Sequence, residues 1–302
     1  MEAYIGHIAA LTAALFWALA TLLYSNAGSH LSAAQLNLVK GAVACPLLAL
    51  AAVLTGQLLS FDGSTAAWLL LASGVIGITL GDTLYFSALR RLGPWHTMLL
   101  EYLAPPFAAL LALLVLNEGM TAREAIAAVI IIIGVLWVIT ERKPASAELQ
   151  VAAKPQQLSG IMAGVGAALC QAVGLVMAFH ALQEFNVSAI NAAFIRLVAG
   201  TLALTVALLL LRPQMIRTTR AALRHTSIPW LALAIVMGTF LAIWLQQLAI
   251  AHINPGIAQT LLATAPLWLI PIRLLQGERI SWRSIGGAVL ALGGIMLLFN
   301  RL

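Results

Sequence analysis

Long apolar runs, separated by short stretches of polar, Gly and Pro residues, recur from one end of this chain to the other. A helix rises about 1.5 Å per residue and bilayer hydrocarbon is about 30 Å thick, so ten of these runs can cross, or nearly cross, a membrane. They cover residues 5–23, 34–54, 66–89, 96–116, 123–140, 159–181, 188–211, 229–250, 256–275 and 282–299. The breaks carry turn chemistry at Asn26-Ala27-Gly28, Asp62-Gly63, Gly93-Pro94, Asn117-Glu118-Gly119 and Asn254-Pro255-Gly256. Two connections are longer. Residues 141–158 are polar with two prolines and read as a flexible connection, with 144–158 as the linker between halves. Residues 212–228 carry four arginines and read as lying on the membrane surface.

The second half repeats the first. Ser32 and Lys40 return 156 residues later as Ser188 and Arg196, and Trp68 returns 162 residues later as Trp230. Pro94, Ala104 and Pro105 return as Pro255, Ala265 and Pro266; Glu118, Arg123 and Gly134 return as Glu278, Arg283 and Gly294. The drift in offset needs only short gaps in loops or near helix ends. Five spans per half is an odd number, which turns the second half upside down relative to the first. The expected fold is an all-α membrane protein of ten transmembrane helices in two inverted five-helix repeats, residues 1–143 and 159–302. Inverted repeats with a site at their interface are a recurring transporter design.

Composition agrees. The chain is 62% hydrophobic and 9% charged, against about 25% charged in ordinary soluble domains. Its formal net charge of +6 is read as loop charge that orients a membrane protein. No basic, aromatic-rich soluble segment is present to hold a nucleic acid. Cys45 and Cys170 lie inside apolar runs, so no disulfide is expected. The first eleven residues lack a basic n-region and a clear cleavage site, and the first run reads as a retained helix. There is no Walker-type phosphate loop, no HExxH and no clear nucleophile with a base. The expectation is therefore no enzyme, no cofactor and no metal. An intramembrane enzyme stays open as an alternative, because catalytic residues can be far apart in sequence.

Pro105 then Asn117-Glu118, Arg123 and Gly134, repeated as Pro266, Gly277-Glu278, Arg283 and Gly294, resembles the EamA repeat. Trp17 and the cation in the second span of each half fit as well. The resemblance covers nearly the whole chain and implies a ten-helix carrier of the drug/metabolite transporter superfamily. It implies a bacterial inner-membrane protein that exports amino acids or other metabolites, while relatives carry nucleotide sugars or phosphorylated sugars. The implied partners are a small-molecule substrate and the lipid bilayer; a monomer and a homodimer are both compatible. A lipid-handling role is a further alternative.

Four ionisable groups sit deep inside spans: Lys40, Asp82, Glu101 and Arg196. A charge near mid-membrane costs at least about 2.5–3.5 kcal/mol, so each should face protein or water. Lys40 begins span two, Asp82 ends span three and Glu101 begins span four, which puts all three toward one face; Arg196, in the inverted half, lies toward the other. Asn37, Tyr85, Gln246, Gln247 and Gln259 complete the candidate substrate contacts around Lys40 and Arg196. Tyr85 stands three residues from Asp82, on the same helix face. Asp82 and Glu101 are the candidate proton-coupling pair: Lys40 pairs with one acid and the other takes up a proton, with Glu101 preferred because Pro105 follows one turn later. The bland alternatives are a fixed ion pair at Lys40 and a snorkelling Arg196. Trp17, Tyr102, Trp244 and Trp268 read first as packing or interface residues. Glycines of spans five and ten (Gly134, Gly286, Gly287, Gly293, Gly294) read as close-packing positions away from the substrate path. Prolines of spans four and nine (Pro105, Pro106, Pro266) read as kinks that could gate.

With the N-terminus outside, eleven Lys and Arg fall in cytoplasmic loops and two, Arg123 and Arg301, on the outer side. The positive-inside rule therefore predicts both termini outside, whereas the family resemblance implies both inside. Labelling of cysteines introduced near Arg217 and Ser60 decides between them. The charge bias predicts that an impermeant reagent added to intact cells reaches the second and not the first; the reverse pattern contradicts it.

Overall fold

A computed structural model describes residues 4–56, 64–116, 121–140, 147–185, 187–253, 258, 261–275 and 281–299. Among them there are helices and turns but no strand. The first repeat begins with α1 (Ile5–Ala27) and α2 (Ala33–Leu54). The third span runs as α3 (Ser64–Gly74), a widened π-helical turn (Val75–Asp82) and the first part of α4 (Thr83–Leu100). At Gly93 the backbone takes φ 76° and ψ 172°, a conformation that side chains with a Cβ rarely accept. Pro94 follows, and the chain re-enters the membrane through the rest of α4, a short 3-10 turn (Glu101–Leu103) and α5 (Ala104–Leu116). α6 (Ala122–Ile139) closes the repeat.

The second repeat holds α7 (Ala147–Glu184), α8 (Ala189–Leu211), the surface helix α9 (Pro213–Arg224) and α10 (Ile228–Ile235). A second π-helical turn (Val236–Leu241) leads into α11 (Ala242–His252), and α12 (Ala265–Leu275) and α13 (Trp282–Phe299) end the chain. The ten apolar spans form two five-helix repeats of opposite orientation, and six of the helical runs are long and apolar enough to cross a membrane outright. The wide turns are themselves duplicated: Val75, Gly77 and Leu80 correspond to Val236, Gly238 and Leu241, each 161 residues on.

The expected flexible connection differs in its second part, where residues 147–158 form the start of α7. The run AELQVAAK is rich in strong helix formers, and these outweigh the single Pro155 inside the helix. The arginine-rich connection is helical too, with Pro213 at its first helical position and Thr219 as its buried residue.

Capping fixes the two cation-bearing helices alike. Ser32 and Gln35 form a reciprocal capping box at α2, and Ser188 accepts from the Asn191 amide at α8. The basic loops gather at one end. Arg90 donates to the carbonyls of Ser29 and Leu31, and Gln35 Nε2 donates to Met215 O of α9 at 3.0 Å. Arg90 and Arg91 also line one open hollow with Pro155 and Gln156.

α6 and α13 pack backbone to backbone. A Cβ on Gly134 would stand 2.7 Å from both Ala291 N and Gly287 O, and one on Gly294 would stand 2.8 Å from Ile131 Cγ1. Gly286 and Gly293 are different: a Cβ there meets nothing within 4 Å. Close packing therefore rests on Gly134, Gly287 and Gly294, not on all five glycines. Gly134→Val is expected to cost roughly 1–3 kcal/mol by overpacking, while Gly286→Ala changes little. Unfolding in detergent that ranks the two variants equally contradicts this packing.

Candidate functional site

The site grows from the first π-helical turn. Such turns are rare and frequent at functional sites. Asn37 of α2 donates to the Ile78 carbonyl at 2.7 Å and to Thr83 Oγ1 at 2.8 Å, while Thr79 Oγ1 donates to the Gly200 carbonyl of α8 at 2.7 Å. The turn is thus tied to a helix of each repeat and delivers Asp82, at its end, to Lys40 of α2. The two form an ion pair with side chains 3% and 13% exposed. Lys40 Nζ also lies 5.3 Å from the centroid of the Phe86 ring, a distance at which the ring face attracts a cation.

A narrow chamber of only about 10 Å³ borders the pair, walled by Trp17, Thr21 and Tyr24 of α1, Tyr85 and Phe86 of α4, and Thr239 of the second wide turn. Thr21 Oγ1 and Tyr85 Oη share a hydrogen bond of 2.7 Å, and Tyr24 Oη and Thr239 Oγ1 share another of 2.7 Å. α1 is therefore hydrogen-bonded to both repeats, one rung on each side.

Trp17 meets Tyr85 edge-on at 5.6 Å and also lines a second, larger cavity. That cavity has a volume of about 70 Å³ and is partly open to solvent. Glu101, Tyr102 and Pro105 line it from the first repeat; Gln171, Gln246 and Pro266 line it from the second. Glu101 is half-buried there, and its carboxyl group makes no hydrogen bond or ion pair among the described residues. Pro105 and Pro266, expected as kinks, both border this space.

The other candidate residues separate. Gln246 reaches the larger cavity, but its neighbour Gln247 is 0% exposed, with neither amide atom bonded among the described residues. Asn37 is engaged by the wide turn. Arg196 is 3% exposed and lines neither cavity; its Nε and Nη1 have no hydrogen-bond partner among the described residues. Lys40 and Arg196 are thus not brought together. Gln259 lies outside the described residues.

Sequence reasoning passed over Gln171, the Tyr24–Thr239 rung and both wide turns. Gln171 had a signal, as an amide inside the apolar run of span six. The wide turns had one too, in the repeated Val-x-Gly-x-x-Leu, but their widening does not follow from that pattern.

A family model described as the EamA-like transporter family matches residues 4–140 and again 158–300. The chain belongs to the EamA-like transporter family. It matches no curated protein. A solved structure described only as the crystal structure of a protein covers 98% of this chain and 99% of its own, with a TM-score of 0.65 at 17% identity. That likeness supports the fold alone.

This EamA-like transporter is a multi-pass membrane protein whose cavities lie between its repeats, and its buried charges are unequal between them. The counterparts of Lys40, Asp82 and Phe86 are Arg196, Ile243 and Gln247. Only the first repeat can close an ion pair within itself at this position. Removing one partner of a buried pair costs about 3–5 kcal/mol because the other charge is left stranded. Asp82→Asn should therefore lower unfolding stability in detergent by about that amount, and the double variant Lys40→Met, Asp82→Leu should recover most of it. A single variant as stable as the parent contradicts the pairing.

Proposed function

We propose that the protein is a secondary transporter of a small amine-bearing metabolite, an amino acid or a close relative. It moves its solute by alternating access through the cavity between the repeats and exports it across a bacterial inner membrane. The observation that carries this reading is Glu101. Its carboxyl group faces the larger cavity without a partner among the described residues, whereas the Lys40 charge is met by Asp82. A carboxylate with aromatic and amide neighbours suits a solute ammonium: Trp17 and Tyr102 offer ring surface, and Gln171 and Gln246 offer hydrogen bonds to a polar group beside it.

The same carboxylate can hold a proton. Proton and solute ammonium then compete for one group, and a protein that changes its facing only with Glu101 occupied exchanges one for the other. The Lys40–Asp82 pair keeps Asp82 out of that competition. Sugar-phosphate or sugar-nucleotide exchange is disfavoured, because the larger cavity is lined by no cation among the described residues. An intramembrane protease is disfavoured as well, because the acid beside Glu101's chamber is already salt-bridged.

Proteoliposomes with an imposed pH gradient test the reading. Wild-type protein should concentrate radiolabelled solute from an amino-acid panel against its gradient, toward the acidic side. Glu101→Gln should abolish accumulation, with at least about a hundredfold loss of gradient-driven flux, since its side chain neither ionises nor binds a proton. Full gradient-driven accumulation by Glu101→Gln, or no accumulation by the wild type under any gradient, contradicts it.

A further inference from the structure

Of Lys40, Asp82, Glu101 and Arg196, the Arg196 guanidinium is the charge to which the proposed cycle gives no role. It sits where the repeat symmetry places a copy of Lys40, yet its own repeat offers Ile243 where Lys40 finds Asp82. A buried cation without an anion is costly in hydrocarbon, so its surroundings must account for it. They point to the first repeat. A Cβ on Gly74 would stand 2.2 Å from the Arg196 carbonyl oxygen, and one on Gly77 would stand 3.4 Å from Arg196 Nη2. Gly77 lies in the wide turn that ends in Asp82, so the guanidinium borders the segment that carries that acid. Nε and Nη1 keep unused donors.

We infer that Arg196 is the second counter-ion of Asp82: when the transporter changes its facing, the carboxylate leaves Lys40 of the first repeat and pairs with Arg196 of the second. Inverted repeats supply the reason. Carriers of this design rock one repeat against the other, and in the opposite facing we place Arg196 in surroundings like those of Lys40 today. The acid those surroundings require is missing from its own repeat, and Asp82 is the acid across the interface. The wide turn is the moving part. Its looser winding lets the carboxylate shift, and the missing side chains of Gly74 and Gly77 leave room for Arg196 beside it. One acid thus serves two cations in turn: Arg196 is without it in this facing and Lys40 in the other. The exchange is a positioning role, independent of solute identity.

The inference rests on the transporter reading, but its test needs no solute. Spin labels on Ser29→Cys and Arg220→Cys, both exposed and one in each repeat, report the separation of the repeats at one end in a chain with Cys45 and Cys170 replaced by Ser. Wild-type protein should show two distances. Arg196→Gln should reduce the second population at least tenfold, and Arg196→Lys should restore it. Ile243→Asp, which leaves Arg196 in place but gives it an acid of its own, should reduce it equally. In an Asp82→Asn background, Arg196→Gln should change nothing further. A single distance in wild type, an undiminished second population in Arg196→Gln or Ile243→Asp, or an equal effect of Arg196→Gln with and without Asp82 overturns the exchange. Loss of proton-driven flux in Glu101→Gln is a separate result and leaves this one standing.

Discussion

The ion pair between Lys40 and Asp82 is the constraint on which the remaining geometry turns. Neither charge is tolerable alone in hydrocarbon, and both border the chamber beside α1. Their meeting requires α2 to present Lys40 at the end of the wide turn, and Asn37, one turn earlier on α2, bonds that turn directly. It also sorts the acids: with Asp82 engaged, Glu101 is the carboxyl group left to face the larger cavity. Division of labour between two acids thus follows from one contact.

The repeats have the same architecture and different chemistry. Both carry a wide turn in the third span and a cation in the second. Asp82 and Phe86 became Ile243 and Gln247 in the copy, so the charge symmetry is broken while the packing symmetry is kept. Tyr24 and Thr21 of α1 bond to opposite repeats, by way of Thr239 and Tyr85. α1 therefore stands as a shared strut, and relative motion of the repeats has to stretch or exchange one of its rungs. Trp17, on the same helix, separates the ion-pair chamber from the open cavity. That ring meets Tyr85 edge-on, so the two spaces share one aromatic wall.

The fold was legible because hydrocarbon imposes length and composition on each span, and because the duplication shows in residues such as Lys40 and Arg196. The break at Gly93 was readable from the Gly-Pro pair. The close approach at Gly134 was readable as well, but Gly286 and Gly293 look identical in sequence and face open space; only the helix rotation decides. Helix propensity in AELQVAAK was outweighed in reading by the prolines around it. At the candidate site, Lys40 and its two acids stood out because charge is rare inside spans. Which acid Lys40 takes depends on the widening at 75–82, a shift of winding that no residue pattern announces. Gln246 and Gln247 are adjacent with equal chemistry, and the turn of α11 alone sends one to the cavity and buries the other. Gln171 was visible as an amide among apolar residues, but its neighbours across the cavity come from the other repeat and cannot be read locally.

The proposed cycle makes Glu101 a group shared by proton and solute, and proton release on binding measures that sharing directly. Purified protein in weak buffer, with a pH indicator present, is titrated with the amine-bearing solute selected from an amino-acid panel. The account predicts that, at a pH where Glu101 is mostly protonated, about one proton leaves per solute bound, and that Glu101→Gln releases none. Binding without proton release across the accessible pH range, or equal release from the Glu101→Gln protein, would contradict it.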